Sequence, residues 1–308
     1  MKLPKFLYFR PKTIEEALAT FTAYDGNAVY LAGGTDLIPR MKLGLKKPMA
    51  VIDLKGIEEL KKVRVENGTI MIGSLVTLFE LSKTPMIKEK FPALFEALLF
   101  TSCETLQMRG TIGGNILQDT RCLFYNQSEF WRKAKGPCVK TGGERCHVIG
   151  AKECLSNYMS DTAPALLSLE ASLKLIGIEG EREIPLRDIF TGNGVSPFSL
   201  RPGEILCQIS LPNEVTKGGY EKLRLRGSID YPLLGIALSG SGEKVKIAIG
   251  GIGPIPKVWE GKLEEISSGM QKLSKETKAI ANTILDPLYR KEMIPVLSQR
   301  LAKRVFES

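Results

Sequence analysis

Four of the six cysteines of this 308-residue chain are close together in the sequence. They are Cys122, Cys138, Cys146 and Cys154, with 15, 7 and 7 residues between consecutive members. Clustered thiols in a protein without a secretory signal usually serve metal or redox chemistry, because a reducing compartment prevents stable disulfides. Four thiolate ligands suit either structural zinc or a 4Fe-4S cluster. Four unliganded cysteines are the third alternative.

The spacing of these cysteines favours a cluster over zinc but leaves all three alternatives open. Zinc sites usually contain two cysteines separated by about two to four residues, and no such pair is present. A 4Fe-4S cluster is larger and can accept ligands that a long loop delivers one at a time. Five glycine and proline residues make the segment flexible enough for this: Gly136, Pro137, Gly142, Gly143 and Gly150.

Other residues near the four cysteines receive simpler interpretations. His147, the single histidine of the chain, is not counted as a ligand, because a lone histidine more often forms hydrogen bonds than binds metal. Cys103 and Cys207 lie apart, between apolar residues, and are predicted to be inert core residues. Four aromatic residues are compatible with a short helix and are predicted to form a hydrophobic patch that anchors the segment: Phe124, Tyr125, Phe130 and Trp131.

Two glycine pairs could bind an anion. Gly33-Gly34 follows an apparent buried strand, and Gly113-Gly114 repeats the arrangement 80 residues later. Glycine allows positive φ and close approach of a ligand, so successive N–H groups can point into one anion-binding concavity. Each pair alone is more often an ordinary tight turn. Neither belongs to a G-x-G-x-x-G or G-x-x-x-x-G-K-[ST] motif, so ordinary NAD and ATP sites are not supported.

The composition is that of a globular protein, with 43% hydrophobic and 25% charged residues. No segment approaches the roughly 18 consecutive apolar residues of a membrane span, and the N-terminus has no apolar run of signal-peptide length. The net charge of +9 is spread along the chain, without the clustered basic residues that phosphate contacts require. We therefore expect a cytoplasmic protein without membrane or nucleic-acid partners, whose charge suits an acidic cofactor or subunit.

Short-range patterns predict helices and strands in mixed order. Thr13 followed by Glu16 is a capping-box pattern that opens a helix over residues 14–24. Asn67-Gly68 between two β-branched runs predicts a hairpin, and the second glycine pair is predicted to lie in a turn over residues 109–115. Further helices are predicted at 77–81, 91–101 and 162–169, and strands at 28–31, 49–54, 172–178, 183–185 and 204–211.

The C-terminal part is predicted to be a separate α+β unit. A composition shift at residues 213–219 marks the main domain boundary. Beyond it, strands are predicted at 220–226, 233–239 and 244–249, and helices at 259–274, 275–284 and 289–306.

Seven segments, in order, resemble the FAD-binding medium subunit of the molybdenum hydroxylases, the family of xanthine dehydrogenase and carbon monoxide dehydrogenase. They are LAGGTDLIP, MRGTIGGNI, SDTAPALLSLEA, GEILCQISLP, YEKLRLRGSIDYPLLGIALS, IGGIGPIPK and LDPLYRKEMIPVLSQRLAKR. The resemblance covers essentially the whole chain. It implies an α+β fold: a two-part FAD-binding region of the vanillyl-alcohol-oxidase-like (PCMH) type, followed by an α+β domain like the C-terminal domain of the carbon monoxide dehydrogenase flavoprotein.

The same resemblance implies domain limits and cofactor contacts. It divides the chain into FAD-binding subdomains at 1–56 and 57–212, with an insertion at about 119–160, and a C-terminal domain at 217–308. A carboxylate such as Asp161 can fix ribose or ribityl hydroxyls, and a cation such as Lys222 can stabilise reduced flavin. The residues implied to contact FAD are Leu31, Ala32, Gly33, Gly34, Thr35, Asp36, Thr101, Gly110, Thr111, Gly113, Gly114, Asn115, Asp161 and Lys222.

The insertion indicates one branch of the family. In most members the second glycine segment runs almost directly into SDTAPALLSLEA, whereas about forty residues intervene here. The inserted loop, including RCLFYNQSEFWRK, is similar to that of the 4-hydroxybenzoyl-CoA reductase β subunit, which carries a 4Fe-4S cluster. This similarity implies that Cys122, Cys138, Cys146 and Cys154 bind the cluster.

The resemblance also implies electron transfer, with the substrate chemistry on another subunit. The implied partners are a molybdopterin catalytic subunit and a small 2Fe-2S subunit, as a dimer of heterotrimers, and a ferredoxin-like electron donor or acceptor. In the reductase, electrons would pass from a low-potential donor through the 4Fe-4S cluster, FAD and 2Fe-2S clusters to molybdenum. Two alternatives stay open: a flavin subunit of a xanthine, aldehyde or carbon monoxide dehydrogenase that donates electrons to NAD or another acceptor, and a subunit whose loop binds structural zinc.

Overall fold

The computed structural model describes residues 2–241 and 243–307, and within these ranges three β-sheets organise the chain. Three hydrophobic core clusters pack against the sheets, and the second and third sheets each contribute to two of them. No helix among the described residues combines the length and the apolar character that crossing a bilayer requires.

The first sheet is parallel, with strand order β1-β3-β2. Its elements, in chain order, are β1 (Leu7–Phe9), α1 (Ile14–Thr22), β2 (Ala28–Leu31), α2 (Leu37–Lys42) and β3 (Ala50–Asp53). Thr13 Oγ1 accepts the Glu16 N–H at 3.2 Å, so α1 begins where the capping pattern predicts. The predicted strand that precedes the first glycine pair is confirmed, because β2 ends at Leu31.

The second sheet is antiparallel, with strand order β4-β5-β8-β6-β7. Its strands are β4 (Val63–Glu66), β5 (Thr69–Gly73), β6 (Ser172–Gly177), β7 (Gly180–Pro185) and β8 (Ile205–Pro212). Asn67 and Gly68 have φ angles of 49° and 73°, the positive values of a type I′ turn. The predicted hairpin between β4 and β5 is therefore confirmed.

The long segment between β5 and β6 carries the helices and the cysteine loop. Its helices are α3 (Leu78–Lys83), α4 (Pro85–Lys90), α5 (Pro92–Phe100), α6 (Glu104–Gln107), α7 (Ile112–Ile116), α8 (Glu129–Lys135) and α9 (Thr162–Ser168). Leu94, Leu98 and Leu166 from these helices pack in the same core cluster as Ile209 of β8. The sheet thus supports the segments on both sides of the cysteine loop.

The third sheet is antiparallel, with strand order β12-β11-β10-β9. Its elements are β9 (Lys217–Leu223), β10 (Leu234–Ser241), β11 (Lys244–Gly250), β12 (Lys257–Lys262), α10 (Ile266–Glu276) and α11 (Pro287–Phe306). Arg290 of α11 is fully buried and donates to the Leu233 and Gly251 carbonyls, which joins the helix to the ends of the strands.

Two helix predictions in this part of the chain need correction. The helix predicted at 259–274 is present only from Ile266 onward, as α10. Residues 257–262 form β12 instead, because their period of two places Trp259 and Gly261 inward and pairs the segment with β11. The helix predicted at 275–284 is also absent: α10 ends at Glu276, and the described residues 277–286 contain no helix. Asn282 instead bonds to the cysteine loop, accepting the Leu123 N–H at its carbonyl and donating to the Leu155 carbonyl.

Candidate functional site

The first glycine pair lies in direct contact with the chain that precedes the second. A Cβ on Gly33 would lie 1.9 Å from the Arg109 carbonyl oxygen and 3.0 Å from the Gly110 Cα. Gly34 has a φ of 77°, which residues with a side chain rarely adopt. Glycine is therefore required at both positions, for close approach at Gly33 and for backbone conformation at Gly34.

The second glycine pair lies in a short helix, so the turn predicted over residues 109–115 is wrong for its latter half. Thr111 caps α7, and its Oγ1 accepts the Gly114 N–H at 3.1 Å. A Cβ on Gly113 would lie 2.8 Å from the Ser74 carbonyl oxygen. Gly113 is thus needed because α7 packs tightly against Ser74 at the end of β5, a long-range contact that local sequence does not indicate.

Two adjoining cavities, of about 270 Å³ and 160 Å³, lie beside the glycine segments. Both are lined by Thr35, Asp36, Thr111 and Gly114, so they adjoin at these residues, and the two together are called the cleft. The larger cavity is also lined by Ala32, Gly33, Gly34 and Gly113, and the smaller by Thr101, Gly110, Asn115 and Asp161. The structure thus brings most of the residues implied to contact FAD to one cleft.

Leu31 and Lys222 do not line either of these cavities. Lys222 has a fully buried side chain and donates to Asp161 Oδ2 at 3.0 Å and to the Phe100 carbonyl at 2.9 Å. The Tyr220 hydroxyl donates to Asp161 Oδ1 at 2.8 Å. Asp161 therefore lines the smaller cavity, while Tyr220 and Lys222 donate hydrogen bonds to its two carboxylate oxygens.

Several charged or aromatic residues of the cleft were missed by sequence reasoning. Arg40 and Lys46 line the larger cavity, and Arg121 and Tyr231 line the smaller one. The Arg121 guanidinium pairs with Asp36 and lies 4.6 Å from the centre of the Tyr231 ring. These residues are far apart in the chain and share no motif, so the single sequence holds no signal that would group them.

The loop that carries the four clustered cysteines is partly buried. Helix α8 lies in it, between Cys122 and Cys138. Cys146 and Cys154 are buried and the other two are half-buried. Burial raises the pKa of the Cys122 thiol, backbone hydrogen bonds oppose the rise, and the nearby Cys146 and Cys154 add to it. Cys122 therefore lies within electrostatic range of Cys146 and of Cys154.

Hydrogen bonds reach each of the other three sulfur atoms. Cys146 Sγ accepts the Val148 N–H at 3.5 Å, and Cys138 Sγ accepts the Thr141 hydroxyl at 3.7 Å. The Cys154 thiol donates to Ser156 Oγ at 3.2 Å. Over residues 2–241 and 243–307, no group of three or more histidine, cysteine or carboxylate side chains is arranged to hold a metal ion. The loop offers the ligand chemistry of a thiolate site without a preformed coordination geometry.

Two predictions about residues near this loop need correction. Phe130 is 84% exposed, so it does not belong to the predicted anchoring patch, although the Phe124 ring contacts the rings of Trp131 and His147. Cys103 is half-buried at the start of α6, and the hydrogen bond with the Thr105 hydroxyl lowers its pKa, so it is not a core residue. Cys207 is buried as predicted.

Comparison with known proteins identifies the family of this fold and cleft. Residues 4–214 match the family described as the FAD binding domain in molybdopterin dehydrogenase, and the chain belongs to it. It is an FAD subunit of a molybdenum-dependent hydroxylase or dehydrogenase complex. The predictions of the family and of an FAD cofactor are confirmed.

Individual relatives support the same assignment. The chain is 33% identical to the aldehyde oxidoreductase FAD-binding subunit PaoB of Escherichia coli (strain K12), over 86% of this chain and 87% of the relative. It is 28% identical to the carbon monoxide dehydrogenase medium chain of Hydrogenophaga pseudoflava, over 84% and 78%. In three dimensions it matches a chain of reconstituted CO dehydrogenase from Oligotropha carboxidovorans with a TM-score of 0.78, 26% identity and 99% coverage of both chains. The predicted fold class is confirmed by this match.

Proposed function

We propose that FAD lies in the cleft between the two glycine segments, and that this chain transfers electrons between an external carrier and the catalytic part of a molybdenum-dependent complex. The observation that carries the proposal is the contact of Gly33 with Arg109, which brings both segments to one cleft. FAD, when bound, can exchange two electrons and release them singly, as a junction between carriers requires.

The residues of the cleft fit the parts of an FAD molecule. Gly33 and Gly34 line the larger cavity, where successive backbone N–H groups can bind a diphosphate. Asp161 lines the smaller cavity, and its carboxylate can accept hydrogen bonds from ribityl or ribose hydroxyls. Lys222 acts through Asp161, because its ammonium is buried behind that carboxylate and does not line the cleft.

FAD content tests this proposal directly. The purified chain should carry or take up about one FAD, measured by absorbance after release of the flavin, and Asp161→Asn should weaken binding. A chain that folds but takes up no FAD at all would contradict the proposal.

We further propose that Cys122, Cys138, Cys146 and Cys154 hold a 4Fe-4S cluster. Four thiolates are the usual ligand set of such a cluster, which supplies one-electron transfer when bound. Support comes from the electrostatic interaction of Cys122 with Cys146 and with Cys154. The hydrogen bond from Val148 N–H to Cys146 also fits, since hydrogen bonds to cluster sulfurs tune the potential of a cluster. Structural zinc on the same cysteines is the second candidate, because zinc accepts the same four thiolates.

Metal analysis distinguishes the two candidates. Chain purified without oxygen should contain about four irons with matching sulfide and an absorbance shoulder beside the flavin bands. Cys146→Ser should lose this iron, whereas Cys103→Ser, outside the loop, should keep it. Zinc in place of iron would establish the structural site. Absence of both metals would mean that the thiols are unliganded and would refute both candidates.

The proposed partners are a molybdopterin catalytic subunit and a small 2Fe-2S subunit, assembled as a dimer of heterotrimers, with a ferredoxin-like external carrier. The support is that two similar chains are named as medium chains of carbon monoxide dehydrogenase. Co-expression with the neighbouring genes and determination of the subunit masses would test the assembly. Isolation of the chain without molybdenum or 2Fe-2S subunits under these conditions would argue against it.

Two reactions are candidates for the whole complex. The names of the relatives, an aldehyde oxidoreductase and carbon monoxide dehydrogenases, favour oxidation of a small substrate with electrons leaving through FAD. The resemblance of the cysteine loop favours reductive dehydroxylation of 4-hydroxybenzoyl-CoA, with electrons entering from a low-potential donor. Turnover of the purified complex with an aldehyde and a dye acceptor supports the first, and turnover of 4-hydroxybenzoyl-CoA with a reduced low-potential donor supports the second.

A further inference from the structure

Lys140 lies in the cysteine loop, between Cys138 and Cys146, yet its side chain is only 4% exposed. Its ammonium group contacts Asp119 Oδ1 at 2.7 Å and the Gly194 carbonyl at 2.6 Å, and it also donates to Thr120 Oγ1. It lies 4.6 Å from the centre of the Tyr125 ring. A buried ammonium with this many partners fixes the loop to the body of the FAD-binding domain.

Asp119 shares its carboxylate between the loop and helix α2. Its Oδ1 forms the ion pair with the Lys140 ammonium. Its Oδ2 lies 2.6 Å from Arg40 Nη2 and accepts a hydrogen bond from the Tyr125 hydroxyl at 2.9 Å. Burial alone would raise the pKa of Asp119, but the charges of Lys140 and Arg40 hold it below its ordinary value. Asp119 is therefore ionised and depends on both cations.

Arg40 and Asp36 continue the same series of contacts into the cleft. Arg40 Nη1 lies 3.6 Å from Asp36 Oδ2, and the Asp119 N–H donates to that oxygen at 3.4 Å. Asp36 also pairs with Arg121. Both Arg40 and Asp36 line the cavity beside the glycine pair. Charged contacts thus run without interruption from the cysteine loop to the proposed diphosphate position.

The balance of charge in this network favours an anion. Two carboxylates, Asp36 and Asp119, pair with three cations, Arg40, Arg121 and Lys140, and Lys46 beside Arg40 in the larger cavity adds a fourth. Lys140 of the loop therefore contributes one of two excess positive charges. Because the paired side chains are only 4% to 20% exposed, solvent screens this charge less than it would at the surface.

We propose that Lys140 is a positioning residue that couples the cysteine loop to FAD binding, through Asp119, Arg40 and Asp36. A closed loop strengthens FAD binding, and bound FAD holds the loop closed to the same extent, because coupling between two sites is reciprocal. The inference rests on the proposed position of FAD and does not depend on which metal, if any, the cysteines hold.

FAD affinity of charge variants tests the coupling. In Lys140→Met, Arg40 is left as the single ion-pair partner of Asp119 and one excess positive charge is lost, so the dissociation constant of FAD should rise about tenfold, within the usual range of such coupling. The double variant Lys140→Met with Asp119→Asn restores the charge balance and should regain most of the affinity. Lys135→Met removes an exposed positive charge from the same loop and should leave the affinity unchanged.

The double variant separates coupling from a general loss of structure. The inference is overturned if Lys140→Met and the double variant bind FAD equally weakly. It is also overturned if Lys140→Met binds FAD with wild-type affinity. Failure of the wild-type chain to bind FAD would instead contradict the proposed function.

A second measurement uses the wild-type chain and does not depend on a variant that folds. The full chain, freed of metal and kept reduced, is alkylated with and without FAD, and mass spectrometry follows each cysteine. Alkylation of buried Cys154 requires opening of the loop, so FAD should slow it about tenfold, the same factor as above. Cys207, which is buried outside the loop, serves as the internal control, because its alkylation requires opening of another part of the chain. Equal slowing at Cys154 and Cys207 would show general stabilisation by FAD and overturn the inference. An unchanged rate at Cys154 with FAD bound overturns the inference.

Discussion

Gly33 lies so close to the Arg109 carbonyl oxygen that a Cβ on Gly33 would be 1.9 Å from that oxygen. The contact joins the loop after β2 to the chain that leads into α7, and the cleft lies between these segments. Because both atoms belong to the backbone, no side-chain rotation can relieve an added methyl group.

Gly33→Ala should therefore displace the two segments and reduce FAD binding to an undetectable level. Overpacking of this kind costs about 1–3 kcal/mol in the free energy of unfolding, so the variant should fold with a lower melting temperature. Gly227→Ala is the control, because a Cβ there meets no atom within 4 Å. Bound flavin is measured after gel filtration, and retention of FAD by Gly33→Ala at the wild-type level would show that the contact does not shape the site.

Lys222→Met should destabilise the protein because it leaves the Asp161 carboxylate buried without its cation. The side chains of Lys222 and Asp161 are 0% and 5% exposed, and removing one member of such a pair costs about 3–5 kcal/mol. Urea unfolding measures the loss, and adding Asp161→Asn to the variant should recover part of it. Lys174→Met is the control, because the pair of Lys174 with Glu181 is exposed and contributes about 1 kcal/mol or less.

Cys103 and Cys207 should differ strongly in reactivity, although both lie outside the cysteine loop. The hydrogen bond with Thr105 lowers the pKa of Cys103, whereas burial raises the pKa of Cys207 to about 12. The thiolate is the reactive form, so iodoacetamide near neutral pH should modify Cys103 first and Cys207 only after unfolding. Peptide mass spectrometry over time gives both rates. Faster modification of Cys207 in the folded chain would contradict the burial of that thiol.

Stability should depend on pH through Glu204, which receives two hydrogen bonds of 2.7 Å from Arg182. Burial alone would raise the pKa of Glu204, but the bonds from Arg182 and from the Arg201 N–H hold it below its ordinary value. Because the pKa of Glu204 is lower in the folded state, the ionised carboxylate stabilises the protein at pH values above the unfolded-state pKa of about 4.3. This contribution is lost as the pH falls through the folded-state pKa.

Glu204→Gln should accordingly lower the melting temperature at neutral pH, and the difference from wild type should shrink below about pH 4. Glu179→Gln, in an exposed pair with Arg201, should change little at any pH because such pairs contribute little. If the difference in melting temperature between Glu204→Gln and wild type instead grows on acidification, the ion pair of Glu204 is not the source of that difference.

The sequence by itself determined those parts of the protein that depend on neighbouring residues. The cap at Thr13, the turn at Asn67-Gly68 and the strand before Gly33 follow from local backbone preferences, and all three are present. The clustering of four cysteines is also a sequence property. The family followed from an ordered series of segments, which the match over residues 4–214 confirms.

Tertiary structure decided how distant segments meet. Trp259 lies in a strand because β11 offers it an edge to pair with, and residues 277–286 stay irregular because Asn282 bonds to the cysteine loop. The contacts of Lys140 with Asp119 and of Arg121 with Tyr231 likewise join residues that no short pattern relates. Local preferences act over a few residues, whereas these pairings depend on which surfaces the whole fold brings within a few ångströms.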